Sequence, residues 1–507
     1  MKFILPLPPV LAVVLVLCVT AVTSTNAAPK PGTLHFGWAD ATIAPGKPVA
    51  ICGQYGTRIS GEVHDPVRAT ALAIETRDGE QVIDQAVIVS CDLVAIRGIV
   101  QEKVRKRVEA QVPDLDVHKI LLSATHTHTA PALTDEAESD PHPHDFLGSW
   151  AYRIPVSRDD VMRPADYIEF LARQISDAVV NAWKARKPGG MSHALGHAVV
   201  AHNRRAVYAD GTARMYGDTS DPKFSHIEGT SDHSVDLLFF WRGEKLAGIA
   251  IAVYCPSQEV ESQLYLSADY WYDTRKILRD EYGEDLHVLS LCGTAGDQSP
   301  HLMWNKNAEN ALLARKGRSP REEIADRILL AVDQVIETSR KNARTELQLQ
   351  HRVEVMPLPV WEVSEDRYAE ARTVYESGEE KPNLLGSKNY IDWRVSRALI
   401  GRYKLQKSGE SNYKAELHFL RLGDVAVATN PFECYTDYGL RIKARSPAVQ
   451  TIAVQLTAGC AGYLPTKRAV AGGGYSARIV DGVVGPEGGD VLVDQSAKVI
   501  AEMWTGE

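Results

Sequence analysis

Leu121-Leu122-Ser123-Ala124-Thr125-His126-Thr127-His128-Thr129-Ala130-Pro131 is an apolar, strand-like run that ends in two histidines and is stopped by a proline. In extended backbone alternate side chains share a face, so the spacing predicts that His126 and His128 project together from the end of a strand. Neutral imidazole is the commonest protein ligand for a metal, and two pre-aligned rings make half of a zinc site. The competing reading is a pair of polar strand-end residues with ordinary hydrogen bonds. The apolar lead-in, the hydroxyl residues between the rings and the proline stop favour the functional one.

Outward from this run, the amino terminus carries an address. Met1-Lys2 is basic, residues 11–22 are almost wholly apolar, and Thr25-Asn26-Ala27-Ala28 ends in small residues, the pattern of a secretory signal peptide over 1–28. That core is shorter than the roughly 20 residues a spanning helix needs, and no later stretch approaches that length. The expectation is a secreted or periplasmic protein with no transmembrane segment in the mature chain. Six cysteines remain after cleavage (Cys52, Cys91, Cys255, Cys292, Cys434 and Cys460), too few over residues 29–507 to be a disulfide scaffold. A net charge of -9 without long basic runs argues against nucleic acid as partner. The tempting cluster Lys103-Val104-Arg105-Lys106-Arg107-Val108 places valines at i and i+4, so its charges read as the solvated face of a helix.

Both periods of hydrophobicity occur along the chain. Runs over 34–43, 70–74 and 82–95 read as strands, the last two joined by the turn Arg77-Asp78-Gly79-Glu80. Residues 235–241 and 246–254 form a hairpin across Arg242-Gly243-Glu244-Lys245, and 416–422 with 425–429 form another across Gly423-Asp424. Helical spacing marks 98–112, 167–185, 322–339, 368–375, 394–403 and a last segment near Trp504. The predicted class is α/β or α+β, with mixed sheets and flanking helices in a single domain over 29–507. No internal repeat is legible. Residues 135–164 read as a long loop, with His142 and His144 facing solvent.

Four further loops follow predicted strands and carry reactive residues: Cys255-Pro256-Ser257-Gln258-Glu259, Cys292 through His301, Asn430-Pro431-Phe432-Glu433, and Ala458 through Tyr463. Ligand crevices of such proteins lie at the carboxyl ends of strands, so these loops are expected to share one site with His126. Taken singly, Gly293 and Gly296 read as turn residues, and Glu433 as an acid at a helix amino terminus.

Together the motifs resemble the amidase domain of neutral, non-lysosomal ceramidases. The resemblance runs in order from Gly37-Trp38-Ala39-Asp40 through Ala124-Thr125-His126-Thr127-His128, Asn203-Arg204, Leu266-Ser267-Ala268-Asp269-Tyr270, Gly296-Asp297-Gln298-Ser299-Pro300 and Glu433 to Tyr463 and Gly474-Tyr475. It implies a zinc ion held by two histidines, a glutamate and a tyrosine, activating water against an amide carbonyl. On that basis His126 and Glu433 correspond to metal ligands and His128 to the group that meets the oxyanion. Asp297 and Ser299 join the catalytic set, while Arg204, Tyr463 and Tyr475 bind substrate.

The departures matter equally. Cys255 stands where the family has its second zinc histidine and Cys460 where it has its tyrosine, with Tyr463 three residues on as a substitute. Thr129-Ala130-Pro131-Ala132-Leu133 replaces a glycine-rich segment, and the chain has no room for the family's carboxyl-terminal immunoglobulin-like domain. Three outcomes follow. The first is an exported zinc hydrolase of amides using His126, Cys255, Glu433 and Cys460 or Tyr463. The second is an enzyme of the same fold that cleaves a carbohydrate or ester by acid–base chemistry through Asp297, Glu433 or Glu259 with His128. The third is a metal-free binding protein with Cys255 and Cys460 oxidised to a disulfide. The ligand is accordingly a small-molecule, lipid or glycan substrate.

Overall fold

The computed structural model describes residues 30–54, 56–134, 144–145, 154, 157–377 and 388–505; the expected signal segment and His142 lie outside them. The class is the one expected, α/β with mixed sheets and flanking helices. Its organisation is not, because three sheets are built on one plan.

In the first unit Gly32–Thr42 lies antiparallel to Arg68–Asp78, which turns back into Gln81–Cys91. The helix Gly98–Glu109 then returns Ile120–Ala124 parallel to Gln81–Cys91, and the helix Pro164–Lys184 closes the unit. The second unit repeats this order with strands Gly190–His197, Ser234–Arg242 and Lys245–Val253, helix Tyr270–Tyr282, the parallel strand His287–Cys292 and helix Pro320–Lys341. The third does so with Leu349–Pro359, Asn412–Leu422, Val425–Thr429, Thr436–Arg445, Gln450–Val454 and Pro486–Thr505. The expectation of no internal repeat is thus overturned at the level of backbone.

Local chemistry explains why three different sequences make one plan. Each hairpin turns at a glycine, Gly79, Gly243 or Gly423, with φ of 60, 59 and 62°, a left-handed conformation that a side chain strains. Each closing helix begins at a proline, whose fixed φ suits a first helical turn. Several elements carry no legible period, among them the strands Gly190–His197 and Leu349–Pro359 and the crossover helices Tyr270–Tyr282 and Thr436–Arg445. The helix Tyr270–Tyr282 starts with Tyr270-Trp271, a buried aromatic pair that reads as strand.

Strand alternation divides the core. Leu72, Ile88 and Leu121 of the first sheet, Phe240, Ala252 and Leu289 of the second, and Leu420, Val427 and Ile452 of the third turn inward to one shared cluster. Their neighbours turn outward beneath each unit's own helices: Val87 and Leu122 in the first, Ile249 and Ile251 in the second, Ala426 and Ala428 in the third. Both faces are therefore apolar, as the continuous hydrophobic strands require. Full burial of each large aliphatic side chain contributes about 1.5–3 kcal/mol. The basic cluster on Gly98–Glu109 is only partly a solvated face. Arg105 forks onto Glu416 of the third sheet at 2.6 and 3.0 Å, whereas Lys103 and Arg107 share the exposed Glu169. His144 is half-buried, its ring 6.2 Å from that of Tyr413, and so does not simply face solvent.

The parallel strand pairs of the units end near one another, tied by bridges between Ser123 and Thr457 and between Gly293 and Val454. The loops carrying His126, Glu433 and Tyr463, and the segment holding Ser299, are gathered at that end.

Candidate active site

The regular strand stops at Ala124, and the two histidines meet by a kink rather than by strand alternation. The amides of Thr125 and His126 donate to the carbonyls of Cys91 and Leu93, both at 2.9 Å, and His126 takes a left-handed φ of 64°. Its Nδ1 lies 2.7 Å from the Val94 carbonyl oxygen, which fixes the ring and presents Nε2 to the pocket. His128 Nε2 lies 3.4 Å from that atom, with the rings at 89°. The backbone of His128 is held by Ser257 O, which its amide reaches at 3.3 Å, and by Arg58, which donates to its carbonyl at 2.7 Å. Gly53, at φ 100°, passes so close that a Cβ there would sit 2.6 Å from His128 Cγ.

Glu433 and Tyr463 face each other across a short parallel pair of strands, Glu433–Cys434 and Tyr463–Leu464. Glu433 Oε2 lies 3.2 Å from His126 Nε2, and the Tyr463 hydroxyl also hydrogen-bonds the carboxylate. Arg204 donates from one terminal nitrogen to the Gly296 carbonyl at 3.0 Å and to the Tyr463 hydroxyl at 3.2 Å. The Tyr475 hydroxyl is 3.3 Å from that of Tyr463. Burial works to raise Glu433, but His126, Tyr463 and Arg204 outweigh it and hold the carboxyl below its ordinary value. Burial, then Glu433, pushes the Tyr463 phenol well above its ordinary value, so it keeps its proton. Burial, then the neighbouring His126, Arg204 and Arg58, holds His128 well below 6.5, so its ring is neutral at pH 7.

The opposite wall comes from the loop after Cys255 and from the segment after Asp297. His128 Nδ1 is 3.5 Å from Glu261 Oε2, which also accepts from Gln258 Nε2 at 3.0 Å. His301 Nε2 is 3.5 Å from Glu259 Oε2. The Tyr216 hydroxyl donates to Ser299 Oγ at 2.8 Å, its ring lies 5.9 Å from that of His301, and it is hydrogen-bonded to Arg204. The contacts thus close a circuit from Arg204 through Tyr463, Glu433 and the two histidines to the Glu261 wall and back through Tyr216. Burial, followed by Asp269 and Glu261, pushes Glu259 up to about 8.

Of the residues singled out from sequence, His126, His128, Glu433, Arg204, Ser299, Tyr463 and Tyr475 gather here. Asp297 sits behind them: its two oxygens accept from Asn203 Nδ2 at 2.7 Å and from the Thr436 amide and hydroxyl at 3.0 and 2.8 Å, while its carbonyl accepts from Arg204 N at 3.0 Å. It positions Arg204 rather than facing the pocket. Tyr216, Glu261 and His301 were not foreseen as site residues. His301 and Glu259 were in view as members of their loops, but nothing in the spacing singled out Tyr216, which is aimed inward by an unusual φ of 50°.

The donor set expected for zinc is assembled only in part: His126, Glu433 and Tyr463 meet, and the two cysteines do not join them. Cys255 packs in the apolar layer of the second unit, its Sγ 3.8 Å from Val200 O and 3.6 Å from Pro256 O. Cys460 packs in the layer of the first unit. Burial, reinforced by Cys292 beside the one and Glu433 beside the other, keeps both thiols protonated. Among the described residues no three His, Cys, Asp or Glu side chains gather as a metal centre. The side chains present therefore do not fit a tetrahedral zinc of that composition. Cys255 and Cys460 are free thiols, so the disulfide alternative is likewise not realised.

The fold, three four-strand units around a shared core, is similar to that of two solved ceramidases. The chain is similar to a solved ceramidase complexed with C2, at a TM-score of 0.65 and 15% identity, covering 93% of this chain and 75% of that one. It is similar also to neutral ceramidase from Pseudomonas aeruginosa, at a TM-score of 0.64 and 14% identity with the same coverages. At such identity the likeness establishes a shared fold. No protein-family profile matches the chain, and no curated protein sequence does. Among the described residues no helix is long and apolar enough to cross a membrane.

Proposed function

We propose that this protein is an exported hydrolase that cleaves the amide bond of an N-acyl substrate. The observation that carries the reading is the Glu433 carboxylate, ionised at neutral pH although buried, 3.2 Å from an imidazole whose far nitrogen is anchored to backbone. A buried carboxylate held ionised beside the substrate position is a general base. Water adds through its oxygen to the carbonyl carbon while its proton passes to Glu433. The carbonyl oxygen becomes an oxyanion facing Arg204 and the neutral N–H of His128, donors fixed in place before the reaction, while the Tyr463 hydroxyl holds Glu433. Collapse breaks the C–N bond, Glu433 returns the proton to the departing nitrogen, and a carboxylic acid and an amine leave. Each step uses groups of this chain, since Cys255 and Cys460, two of the donors a zinc ion would need, lie in the apolar layers while His126, Glu433 and Tyr463 face the pocket.

Two measurements test this. Amine release from a panel of N-acyl substrates falls by about 10²–10³-fold in Glu433→Gln with the circular dichroism spectrum unchanged, the size of effect that loss of a positioned base or oxyanion donor gives. Full activity in that variant refutes the assignment. Metal analysis of the active protein is expected to find far less than stoichiometric zinc, and activity to survive chelation; one zinc per chain, lost in His126→Ala, would restore the metal mechanism.

A further inference from the structure

Every side chain in the circuit around the pocket is polar or charged, from Arg204 and Tyr463 round to Glu261, Glu259 and His301. An acyl chain laid against this lining would strip water from charged groups without replacing their hydrogen bonds, which is strongly unfavourable. Three buried polar atoms of the pocket have no hydrogen-bond partner: His128 Nδ1, Arg204 Nε, a donor, and Gln258 Oε1, an acceptor, the last two on residues 4% and 2% exposed. Buried polar groups are nearly always paired, so unpaired ones at a pocket point to a ligand that completes them, and one that both accepts and donates. Hydroxyl groups do both. The Gln258 amide leans on Glu261 at 3.0 Å, and the wall it belongs to presents the Glu261 carboxylate 3.5 Å from His128 and the Glu259 carboxyl, protonated at neutral pH, 3.5 Å from His301, both partly open to solvent. A carboxylate accepts from hydroxyls and attracts an ammonium group, and a protonated carboxyl both donates to and accepts from hydroxyls.

We propose that the pocket takes an N-acylated, polyhydroxylated amine, an amino sugar rather than an N-acyl lipid, with Gln258, Glu259, Glu261 and His301 holding the sugar side. This rests on the reading of the site as an amide hydrolase and adds the substrate class. The short acyl group lies toward Glu433 and the oxyanion donors. The hydroxyls fill the vacant positions on Gln258 and Arg204, and the amine released is born beside the Glu261 carboxylate.

The test uses the full chain with two probes, N-acetylglucosamine oligomers in solution and N-acetylsphingosine in detergent micelles, reading primary amine release and, separately, binding by calorimetry. The expected result is a kcat/KM for the sugar greater by about a hundredfold or more, the discrimination a polar site achieves against a partner that leaves its groups unpaired. In Glu261→Gln the KM for the sugar rises about tenfold, the loss of a hydrogen bond to a charged group, and by a larger factor than kcat falls, a split that a merely structural defect does not give. Saturable sugar binding without amine release upholds the substrate class and refutes the hydrolase. Lipid turnover that vanishes in Glu433→Gln, with no sugar bound, overturns the substrate class and leaves the hydrolase standing. Binding of neither probe overturns the inference.

Discussion

Glu259 and Glu433 show how two like residues on facing walls acquire different charges. Glu433 has a permanent cation, a phenol and an imidazole about it and ionises; Glu259 has burial and two carboxylate neighbours and holds its proton up to about 8. An unfolded glutamate ionises near 4.5, so between that value and about 8 the native state binds the extra proton and this group's contribution to stability falls as pH rises. In Glu259→Gln the loss disappears: urea unfolding is expected to show the variant gaining on the wild type from pH 5 to pH 8, by at most about 1.4 kcal/mol per pH unit. A difference independent of pH would contradict the assignment. Gly53 makes a second prediction at this scale. Its positive φ and its closeness to His128 leave no room for a methyl group, so Gly53→Ala should cost about 1–3 kcal/mol and displace the ring, lowering kcat more than any change in binding.

Among the elements, the helix Pro320–Lys341 packs against the second sheet and carries a reciprocal cap: Ser319 Oγ accepts from Glu322 N at 3.3 Å, and the Glu322 carboxylate accepts from Ser319 N at 2.7 Å. Ser319→Ala should therefore lower unfolding free energy by about 1 kcal/mol while leaving turnover untouched. An activity loss in proportion would mean that this helix is coupled to the site. Most strands, the hairpins and the long amphipathic helices were readable because each has a period or a turn residue that local physics enforces. The crossover helix Tyr270–Tyr282 was not, since its first residues are buried aromatics and its cap, Asp269, is in an unusual backbone conformation, φ 56°. The two cysteines resist a reading from sequence for a related reason. A thiol at a strand end serves a metal or a core equally well, and only packing decides; here Cys255 faces Val200 and the helices.

For the molecule as a whole, the three units share one inner core but meet along polar seams. Between the first and third, His351 Nε2 lies 2.9 Å from His418 Nδ1, His418 Nε2 lies 3.0 Å from Glu416, and the His351 amide donates to Asp84 at 2.7 Å. Burial, then His418 and Lys119, holds His351 well below 6.5, and burial lowers His418 also. The unfolded chain takes up protons at these positions near pH 6.5 where the native one does not, so their contribution to stability is present above that pH and drains away below it. Replacing His351 by Gln should flatten the acid limb of unfolding free energy between pH 7 and 5 relative to wild type. An unchanged slope would show that the seam does not titrate.

The sequence by itself determined the class of the fold, most strands and helices, and the five loops that carry His126, Cys255, Asp297, Glu433 and Tyr463, because alternation, helical period and turn residues are local. It also marked the histidine pair. What only tertiary structure decided is the threefold plan, which three unrelated sequences satisfy through the same turns and burial pattern, and the membership of the pocket. His126 turns inward through a backbone angle no propensity predicts, Tyr216 and Glu261 arrive from distant segments, and Cys255 turns away into the core. Which side chains meet is set by the packing of three sheets on one another, an interaction that no stretch of the chain contains.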